Sequence, residues 1–425
     1  MKQLILLFLF ISAGIFAQEK NCGSNLRLIE YLENHPEAKK KRLELEKLTQ
    51  HFNLTKISNT TIPVVVHILY TNAQENISDA QIESQIEVLN KDFTRTNTDA
   101  FNTPTNFLSV VANVQLNFCL AQQTPNGNPT NGIIRKQTTN NFFTLLGNAI
   151  YYDSLGGSTA WDTEKYLNIW VCNLASSGGS FTIGYSYLPG SVTWSMWKDG
   201  LVVDFQYFGT IGASTAGNDG STPTHEIGHY LGLLHTFCDD EDGTGNPICC
   251  DNDDNNWGGN VDDTPASKDI YFGSVNSSTN NNTCNDVSYP NDFNTNVLDM
   301  DENFMAYSAN VWMFTEEQAD VMVGTMNGYR SSLKNSPASV NCTGTVDINN
   351  MSNNNQIKIY PNPTKGKILI QNLMQISNNS IIIRNILGKI ILTSNSRNSL
   401  ISLDLSHLEN GIYFIEVSSN NGVRI

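Results

Sequence analysis

The stretch "THEIGHYLGLLHTF", residues 224–237, places three histidines at fixed intervals around one glutamate and one glycine. Histidines four residues apart lie on one side of a helix, about 5 to 6 Å apart at Cβ, so His225 and His229 can bind one ion. Gly232 lets the chain leave the helix in a conformation that other residues resist, after which His235 can return as a third ligand. The spacing therefore predicts a metal centre built from three imidazoles.

The glutamate inside this stretch indicates which reaction the predicted metal centre would catalyse. Three neutral imidazoles leave one position of a tetrahedral zinc ion open to water, whose pKa then falls towards ~7. Glu226 is placed to take a proton from that water and to deliver it later to a leaving amine. The alternative is a helix whose histidines are only core or surface residues. Zinc is favoured because the three histidines, the glutamate and the glycine all stand at the spacing that brings three imidazoles to one ion.

Length and charge limit the classes of partner. The chain has 425 residues, enough for two or three domains. It carries 41 acidic against 25 basic residues and a formal net charge of −16. No basic face could collect phosphates, so we expect no nucleic-acid partner. The acidity fits an exterior, calcium-rich environment, although a solvated negative surface explains it equally well.

The N-terminus indicates export. Residues 1–17, "MKQLILLFLFISAGIFA", have a basic residue, an apolar core and small residues at the end, as in a cleaved signal peptide. No later run approaches the ~20 apolar residues that cross a bilayer, so we expect a secreted or surface-attached chain with disulfide bonds and no membrane span. Residues 18–58 carry Leu26, Ile29 and Leu32 at roughly helical spacing and are predicted to form a detachable helical segment. An ordinary amphipathic N-terminal helix has the same pattern.

The next segment opens an α/β layer. "TIPVVVHILY" is typical of a buried strand, and "SDAQIESQIEVLNKDF" predicts a helix with Ser78 and Gln81 as a capping box and Ile82, Ile86 and Leu89 on one face. Further strands are predicted at "VQLNFCLA", "YLNIWVCNL" and "GLVVDFQYFG".

The pattern changes twice towards the C-terminus. Residues 238–303 are rich in Asp, Asn, Gly and Cys and need ions or disulfides to hold them, and a closing helix is predicted to start near Thr315. We therefore place one domain at 59–335, a linker at 336–354 and a small all-β sandwich of short alternating strands at 355–425.

The histidine stretch resembles the HExxHxxGxxH motif of the metzincin metalloproteases, matched without a gap. Metzincins also have a Met-turn beneath the zinc, and "ENFMAYS" offers Met305, followed by Tyr307 as the tyrosine that supports the tetrahedral intermediate. Without the resemblance, these would be a core methionine and a half-buried aromatic residue. The resemblance implies an α/β (α+β) catalytic domain with a twisted mixed sheet and an active-site helix.

Within the metzincins, "TPTHEIGHYLGLLHTF", "VDDTPAS" and "NFMAYS...MFTEEQ" are similar to the pappalysin group over roughly residues 60–330. In that group a cysteine followed by glycine in the pro-segment caps the zinc of the zymogen, and "NCGSN" places Cys22 and Gly23 there. A thiolate is a good zinc ligand. The alternative is a disulfide at Cys22.

The cysteine count leaves that alternative open. If Cys22 is free, seven cysteines remain, an odd number, so that one of them would also stay unpaired. Adjacent Cys249 and Cys250 should each find another partner, with Cys238 and Cys284 as local candidates.

The acidic loops resemble the calcium sites of the same group. Their candidate ligands are carboxylates, which calcium prefers: Asp251, Asp253, Asp254, Asp262 and Asp263. A solvated acidic loop is the alternative. One departure concerns specificity, because the group's cleavage before Arg or Lys depends on an acidic residue after the Met-turn. Here "YSANVWMFT" has no carboxylate before Glu316, and Trp312 stands where relatives often have a cysteine nearby.

The C-terminal run with "YPNP" and "NGIYFIEV" resembles the sorting domain that directs proteins to type IX secretion machinery. Without the resemblance, it would be a generic sandwich that binds carbohydrate or protein.

Two function classes follow from the sequence. The first is a secreted zinc endopeptidase that acts on proteins or peptides and is made as a zymogen. The second is a surface binding protein that uses an inert metzincin fold as a scaffold. The intact Glu226 favours the enzyme, since a binding protein has no need of it.

Overall fold

The computed structural model of the chain describes two compact units, Met1–Gly344 and Thr345–Ile425. The described residues of the first are 20–24, 35, 60–175, 181–192, 195–237, 247–249, 261–289, 291–334, 336 and 338. Those of the second are 357–372, 379–385, 389–396, 400–409 and 411–419. The predicted signal peptide, the predicted helix of the pro-segment and most of the predicted linker lie outside these ranges.

A seven-stranded mixed sheet forms the centre of the first unit. Its strands are β1 (Lys20–Cys22), β2 (Thr60–Tyr70), β3 (Leu116–Leu120), β4 (Ile133–Gln137), β5 (Leu167–Cys172), β6 (Phe181–Ser186) and β7 (Gly200–Asp204). They follow the order β1-β6-β7-β5-β2-β3, and β4 pairs with the second half of β2. Pairing is parallel except between β6 and β7. The mixed sheet expected from the resemblance is confirmed.

Strand β2 shows why the sheet is covered on both faces. Its β-branched run is buried over nearly its whole length, as parallel strands between two layers are. Val64 and Val66 pack in the larger apolar cluster with the helices, whereas Val65 packs in a separate cluster that includes Tyr166. The alternation assigns successive side chains to opposite faces.

Within the described residues of the first unit, four helices accompany the sheet: α1 (Asp79–Phe93), α2 (Ser221–Tyr230), α3 (Glu316–Asn327) and α4 (Ser331–Lys334). Helix α1 begins as predicted after Ser78, whose side chain accepts a hydrogen bond from the Gln81 backbone N–H. The side chain of Gln81 departs from the predicted capping box. Its amide is fully buried and donates to the carbonyls of Phe205 and Phe208, because a buried amide must be satisfied where it lies.

Helix α1 fixes the start of α2, which carries the histidine motif. The Gln85 amide donates to the Gly220 carbonyl over 2.9 Å, directly before α2. The Thr224 hydroxyl donates to Asp92 on α1 over 2.6 Å. These bonds set the position of α2 against the larger core.

The end of α2 is fixed by a buried ion pair. Arg330 is 3 % exposed, donates from Nε to the Tyr230 carbonyl over 2.9 Å, and pairs with Asp199 through two bonds of 2.5 and 2.8 Å. Such a bidentate pair is specific in geometry, and removing one partner leaves an uncompensated buried charge.

Long loops precede α3, as the composition predicted. Within residues 261–289 and 291–315, the regular elements are limited to a single 3₁₀ turn at Asp286–Ser288. Helix α3 starts after Thr315 with a complete capping box to Gln318, so the predicted closing helix is confirmed.

The cysteines partly follow the sequence argument. Cys249 pairs with Cys284, one of the two predicted local partners. Cys119 is also disulfide-bonded. Among the described cysteines, Cys22 and the buried Cys172 are free. If Cys22 is free, one of the other seven cysteines must also be unpaired, and Cys172 is that residue.

The second unit consists of two three-stranded antiparallel sheets. Its strands are β8 (Ile357–Tyr360), β9 (Lys367–Asn372), β10 (Asn379–Asn385), β11 (Ile390–Ser396), β12 (Leu400–Asp404) and β13 (Tyr413–Ser419), in the orders β11-β10-β13 and β12-β9-β8. An apolar core that includes Ile370, Ile381, Ile383 and Leu403 joins the inner faces. The predicted all-β character is confirmed. Across the described parts of both units, no helix combines the length and the apolar character needed to cross a bilayer.

We expect Arg330→Met to lower the free energy of unfolding by about 3–5 kcal/mol, because Asp199 is left buried and unpaired. Urea unfolding of the purified chain measures the change. Lys165→Met is the matched control: it breaks an exposed pair with Asp162 and should leave the unfolding midpoint unchanged. Equal losses in the two variants would contradict a special role for the buried pair.

Candidate metal centre

Helix α2 presents the first two histidines to one point. Nδ1 of His225 lies 2.7 Å from the Phe304 carbonyl oxygen, and Nδ1 of His229 lies 2.8 Å from the Leu233 carbonyl oxygen. A carbonyl oxygen only accepts, so each Nδ1 carries the proton and each Nε2 keeps its lone pair. Metal-binding histidines are oriented in this way by their second nitrogen.

The third histidine reaches the same point after the glycine turn. Gly232 has φ +108°, in the range that favours glycine, and the Leu233 N–H closes the end of α2 on the Gly228 carbonyl. His235 is then 2 % exposed, with its Nε2 3.1 Å from Nε2 of His229.

The donor atoms converge as a zinc site requires. Nε2 of His225 also lies 3.1 Å from Nε2 of His229, and the ligand atoms of all three histidines and Cys22 lie within 4.8 Å of one another. With zinc–nitrogen bonds of about 2.0–2.1 Å, nitrogens of a tetrahedral site stand about 3.3 Å apart. The three imidazoles and the sulfur are donors that zinc prefers, so the residues fit this ion. Burial, followed by the charge of His235, lowers the pKa of His225 to about 3, which keeps the ring neutral.

Glu226 lies beside this centre and is 1 % exposed. Its Oε2 accepts a hydrogen bond of 2.9 Å from the Ser24 hydroxyl, while its Oε1 is buried and bonded to none of the described residues. Burial raises the pKa of Glu226 to about 7, before the charge of any metal is counted. Gly184 on β6 makes room for it, because a Cβ there would lie 3.1 Å from Oε1.

Met305 lies directly beneath α2. It is fully buried, and a Cβ added to Gly228 would come within 2.4 Å of its sulfur, so the helix rests on the methionine. The Asn303 side chain accepts from the Met305 N–H over 2.9 Å and exchanges hydrogen bonds with Gln318 on α3. The Met-turn is therefore tied to the closing helix.

Tyr307 borders the histidines on the cleft side. Its ring centroid lies 4.9 Å from that of His235 and 5.7 Å from that of His225. The Cys22 N–H donates to its hydroxyl oxygen over 3.2 Å, so the hydroxyl points at the chain that crosses the metal centre.

That crossing chain is β1, which pairs in parallel with β6. The Gly23 N–H donates to the Gly184 carbonyl over 2.8 Å, and the sulfur of Cys22 joins the three imidazoles. Burial, followed by the charge of Glu226, raises the pKa of the Cys22 thiol. A cation supplies the positive charge that favours the thiolate.

A cleft of about 240 Å³ extends from the metal centre between α2 and the segment after the Met-turn. Glu226 and Asp219 are the carboxylates among its lining residues in the described part of the chain. Asn310, in the carboxylate-free segment noted from the sequence, binds the backbone of Val275 through both amide atoms. That segment therefore braces a loop, and the acidic wall of the cleft comes from Asp219 before α2.

The predicted calcium ligands are only partly described. The backbone N–H groups of Asp262 and Asp263 donate to Glu317 at the start of α3, over 2.5 and 3.1 Å. Oδ1 of each aspartate is buried and bonded to none of the described residues. The remaining candidates, Asp251, Asp253 and Asp254, lie outside the described residues.

Three residues at the centre were missed in the sequence: Ser24, Gly184 and Ser186. The Ser186 hydroxyl donates to the Glu226 carbonyl over 2.8 Å, and its N–H donates to the Ser24 hydroxyl over 2.8 Å. These partners are 40 and 162 residues apart, so no local pattern could have indicated them.

Known proteins share both parts of the chain. A peptidase family model described as pregnancy-associated plasma protein-A matches residues 151–327, and a secretion system C-terminal sorting domain matches residues 358–425. The fold and the histidine centre together define a metalloprotease of the metzincin type.

Solved structures give the family. Mature mirolysin of Tannerella forsythia, in complex with a cleaved peptide, is 36 % identical, with a TM-score of 0.56 over 65 % of this chain and 96 % of its own. A promirolysin mutant from the same organism is 34 % identical, with a TM-score of 0.61 over 74 % and 97 %. An extracellular metalloprotease of Arthroderma benhamiae is 28 % identical over 279 residues, 64 % of this chain and 79 % of that protein. The chain belongs to the pappalysin family of metalloproteases.

We expect Gly232→Ala to weaken zinc binding by about tenfold or more, because the strained turn no longer delivers His235 to the metal. Competition with a chromophoric chelator measures the affinity. Gly217→Ala is the matched control, since Gly217 also has positive φ, +81°, but a Cβ there meets nothing within 4 Å. Gly217→Ala adds similar backbone strain and should leave the zinc affinity unchanged. Equal affinity losses in both variants would mean that strain, and not ligand delivery, lowers the affinity.

Proposed function

We propose that this chain is a secreted zinc-dependent endopeptidase that cleaves proteins or peptides with a water molecule activated by Glu226. The observation that carries the proposal is the convergence of three histidine Nε2 atoms next to a buried carboxylate oxygen without a hydrogen-bond partner among the described residues. A structural histidine cluster has no use for that oxygen, whereas a general base does. Family membership and the mirolysin structure with a cleaved peptide support the assignment.

The roles follow from the positions of the side chains. Zinc, held by His225, His229 and His235, would polarise the scissile carbonyl and lower the pKa of a bound water. Glu226 takes the proton of the attacking water on Oε1 and delivers it to the leaving amine, since it is buried beside the histidines and this oxygen has no hydrogen-bond partner within the described part of the chain.

Tyr307 is proposed to stabilise the negative charge that develops on the oxygen of the scissile carbonyl. Its hydroxyl accepts a hydrogen bond from the Cys22 N–H in β1, the strand that crosses the metal centre. A substrate peptide would lie in the place of β1 after the pro-segment leaves. A preorganised donor at that place stabilises an oxyanion more than the ground-state carbonyl. Met305 packs against α2 at Gly228 and supports the helix, and it takes no part in the chemistry.

We also propose that the pro-segment keeps the enzyme latent through Cys22. The thiol is free, its sulfur joins the imidazoles, and β1 occupies the edge of β6 that a substrate strand would use. The promirolysin structure matches a larger share of this chain than mature mirolysin does, which supports a zymogen with this arrangement.

The proposed site of action is outside the cell. The sorting-domain match and the extracellular metalloprotease relatives support a secreted or surface protein that type IX secretion machinery exports.

A structural calcium ion is proposed at the start of α3. Asp263 is 2 % exposed, and its pKa is raised to about 7 by burial first and then by the charge of Glu317. The buried, unbonded Oδ1 atoms of Asp262 and Asp263 are hard oxygen donors of the kind that calcium prefers.

We expect Glu226→Gln to lower peptidase activity by about 10²–10⁴-fold while zinc content stays at the wild-type level, because the base is lost and the ligands remain. Hydrolysis of casein and of a diverse peptide library by the processed enzyme measures activity, and a zinc chelator should abolish it. Glu83→Gln, an exposed change on α1, is the control and should be fully active. If zinc-loaded processed wild-type protein cut nothing in the library, a binding protein on a metzincin scaffold would be the better interpretation.

Calcium should raise the melting temperature of the processed enzyme. At a calcium concentration of one hundred times the dissociation constant, binding should stabilise the folded state by about 2.7 kcal/mol. Asp263→Asn should lose most of this calcium-dependent shift, as seen by calorimetry. Asp162→Asn, an exposed aspartate paired with Lys165, is the control and should keep it. An undiminished shift in Asp263→Asn would place calcium elsewhere.

A further inference from the structure

The pro-segment makes a second, chemically different contact with the catalytic centre, two residues beyond Cys22. Ser24 is 2 % exposed and lies between β6 and α2. Its hydroxyl accepts a hydrogen bond of 2.8 Å from the Ser186 N–H and contacts Oε2 of Glu226 at 2.9 Å.

The direction of these bonds follows from the donors present. The Ser186 N–H can only donate, so the Ser24 oxygen accepts there and directs its own proton to the Glu226 carboxylate. Ser186 also donates its hydroxyl to the Glu226 backbone carbonyl over 2.8 Å. Ser24 therefore binds the side chain of Glu226 while Ser186 holds its backbone.

We propose that Ser24 is a second inhibitory contact of the zymogen, acting on Glu226 through its hydroxyl in addition to the contacts that the Cys22 thiol makes at the same centre. The inference rests on the proposed function, in which Glu226 is the general base. The hydrogen bond from Ser24 occupies one carboxylate oxygen of Glu226 and fixes the carboxylate in one orientation. The Ser24 hydroxyl also accepts the hydrogen bond of the Ser186 N–H. This N–H lies at the edge of β6 where a substrate strand would bind.

The two contacts can be separated experimentally, because different atoms make them. The backbone N–H of Ser24 donates to the sulfur of Cys22 over 3.3 Å, whereas the hydroxyl of Ser24 binds Glu226. Ser24→Ala removes the hydroxyl and keeps the N–H that orients the thiol. Cys22→Ala removes the sulfur and keeps the serine hydroxyl.

The test uses the full chain that retains its pro-segment, as wild type, Ser24→Ala, Cys22→Ala and the double variant, with peptide hydrolysis measured before and after processing. We expect Ser24→Ala to raise the activity of the unprocessed chain about tenfold, the effect of one hydrogen bond to a charged group. The double variant should exceed Cys22→Ala by a similar factor, and all processed samples should be equally active. Ser24→Thr keeps the hydroxyl and should remain closer to wild type than Ser24→Ala.

Amide hydrogen exchange gives a readout that needs no catalysis. In the unprocessed Ser24→Ala chain, the Gly23 and Ser186 amides should exchange faster than in wild type, because one bond that holds β1 on β6 is lost. If processed wild type is active while unprocessed Ser24→Ala is as silent as wild type, with unchanged exchange, the second contact is overturned. Processed wild type without activity would instead refute the endopeptidase proposal, while faster exchange would still report the serine contact.

Discussion

The histidine centre depends on two hydrogen bonds from histidine Nδ1 atoms to backbone carbonyls. They decide which nitrogen of His225 and His229 carries the proton, and therefore that both Nε2 atoms offer lone pairs to one point. One carbonyl belongs to Phe304 before the Met-turn and the other to Leu233 after the glycine turn. Two segments far apart in the chain must hold their places before the histidines can act as ligands.

The rest of the first unit can be understood as support for those two segments. Asn303 and Gln318 tie the Met-turn to α3 through paired amide bonds, and Gly228 lets α2 rest on Met305. Arg330 holds the last carbonyl of α2. Buried polar groups of this kind are fully bonded or costly, so each fixes one arrangement of the backbone around the metal.

The sequence was informative where the determinants are local. The histidine ligands follow from spacing on one helix and one glycine turn, and Thr315 and Gln318 form a cap within one turn. Met305 and Tyr307 needed the family resemblance, because nothing in their own surroundings in the chain points to a metal. Strands β4 and β6 were missed: β4 is a short, half-exposed strand, and β6 is interrupted by a glycine whose purpose, room for Glu226, is visible only in three dimensions. For the same reason Gln81 was assigned to a cap although its buried amide serves the segment before α2.

In the proposed zymogen, the way the pro-segment binds keeps a preformed centre silent until one cut releases it. Cys22, Gly23 and Ser24 reach the metal site, the β6 backbone and Glu226 in succession, so β1 binds as one unit. Because β1 is covalently joined to the rest of the chain, these contacts form within one molecule, which favours them over contacts with a separate peptide. In the proposed activation, cleavage of that connection removes no contact from the cleft, but the pro-segment then binds as a separate molecule and is lost by dilution. In the same proposal, a substrate strand then pairs with the edge of β6 that β1 has left, beside Glu226 and the three imidazoles.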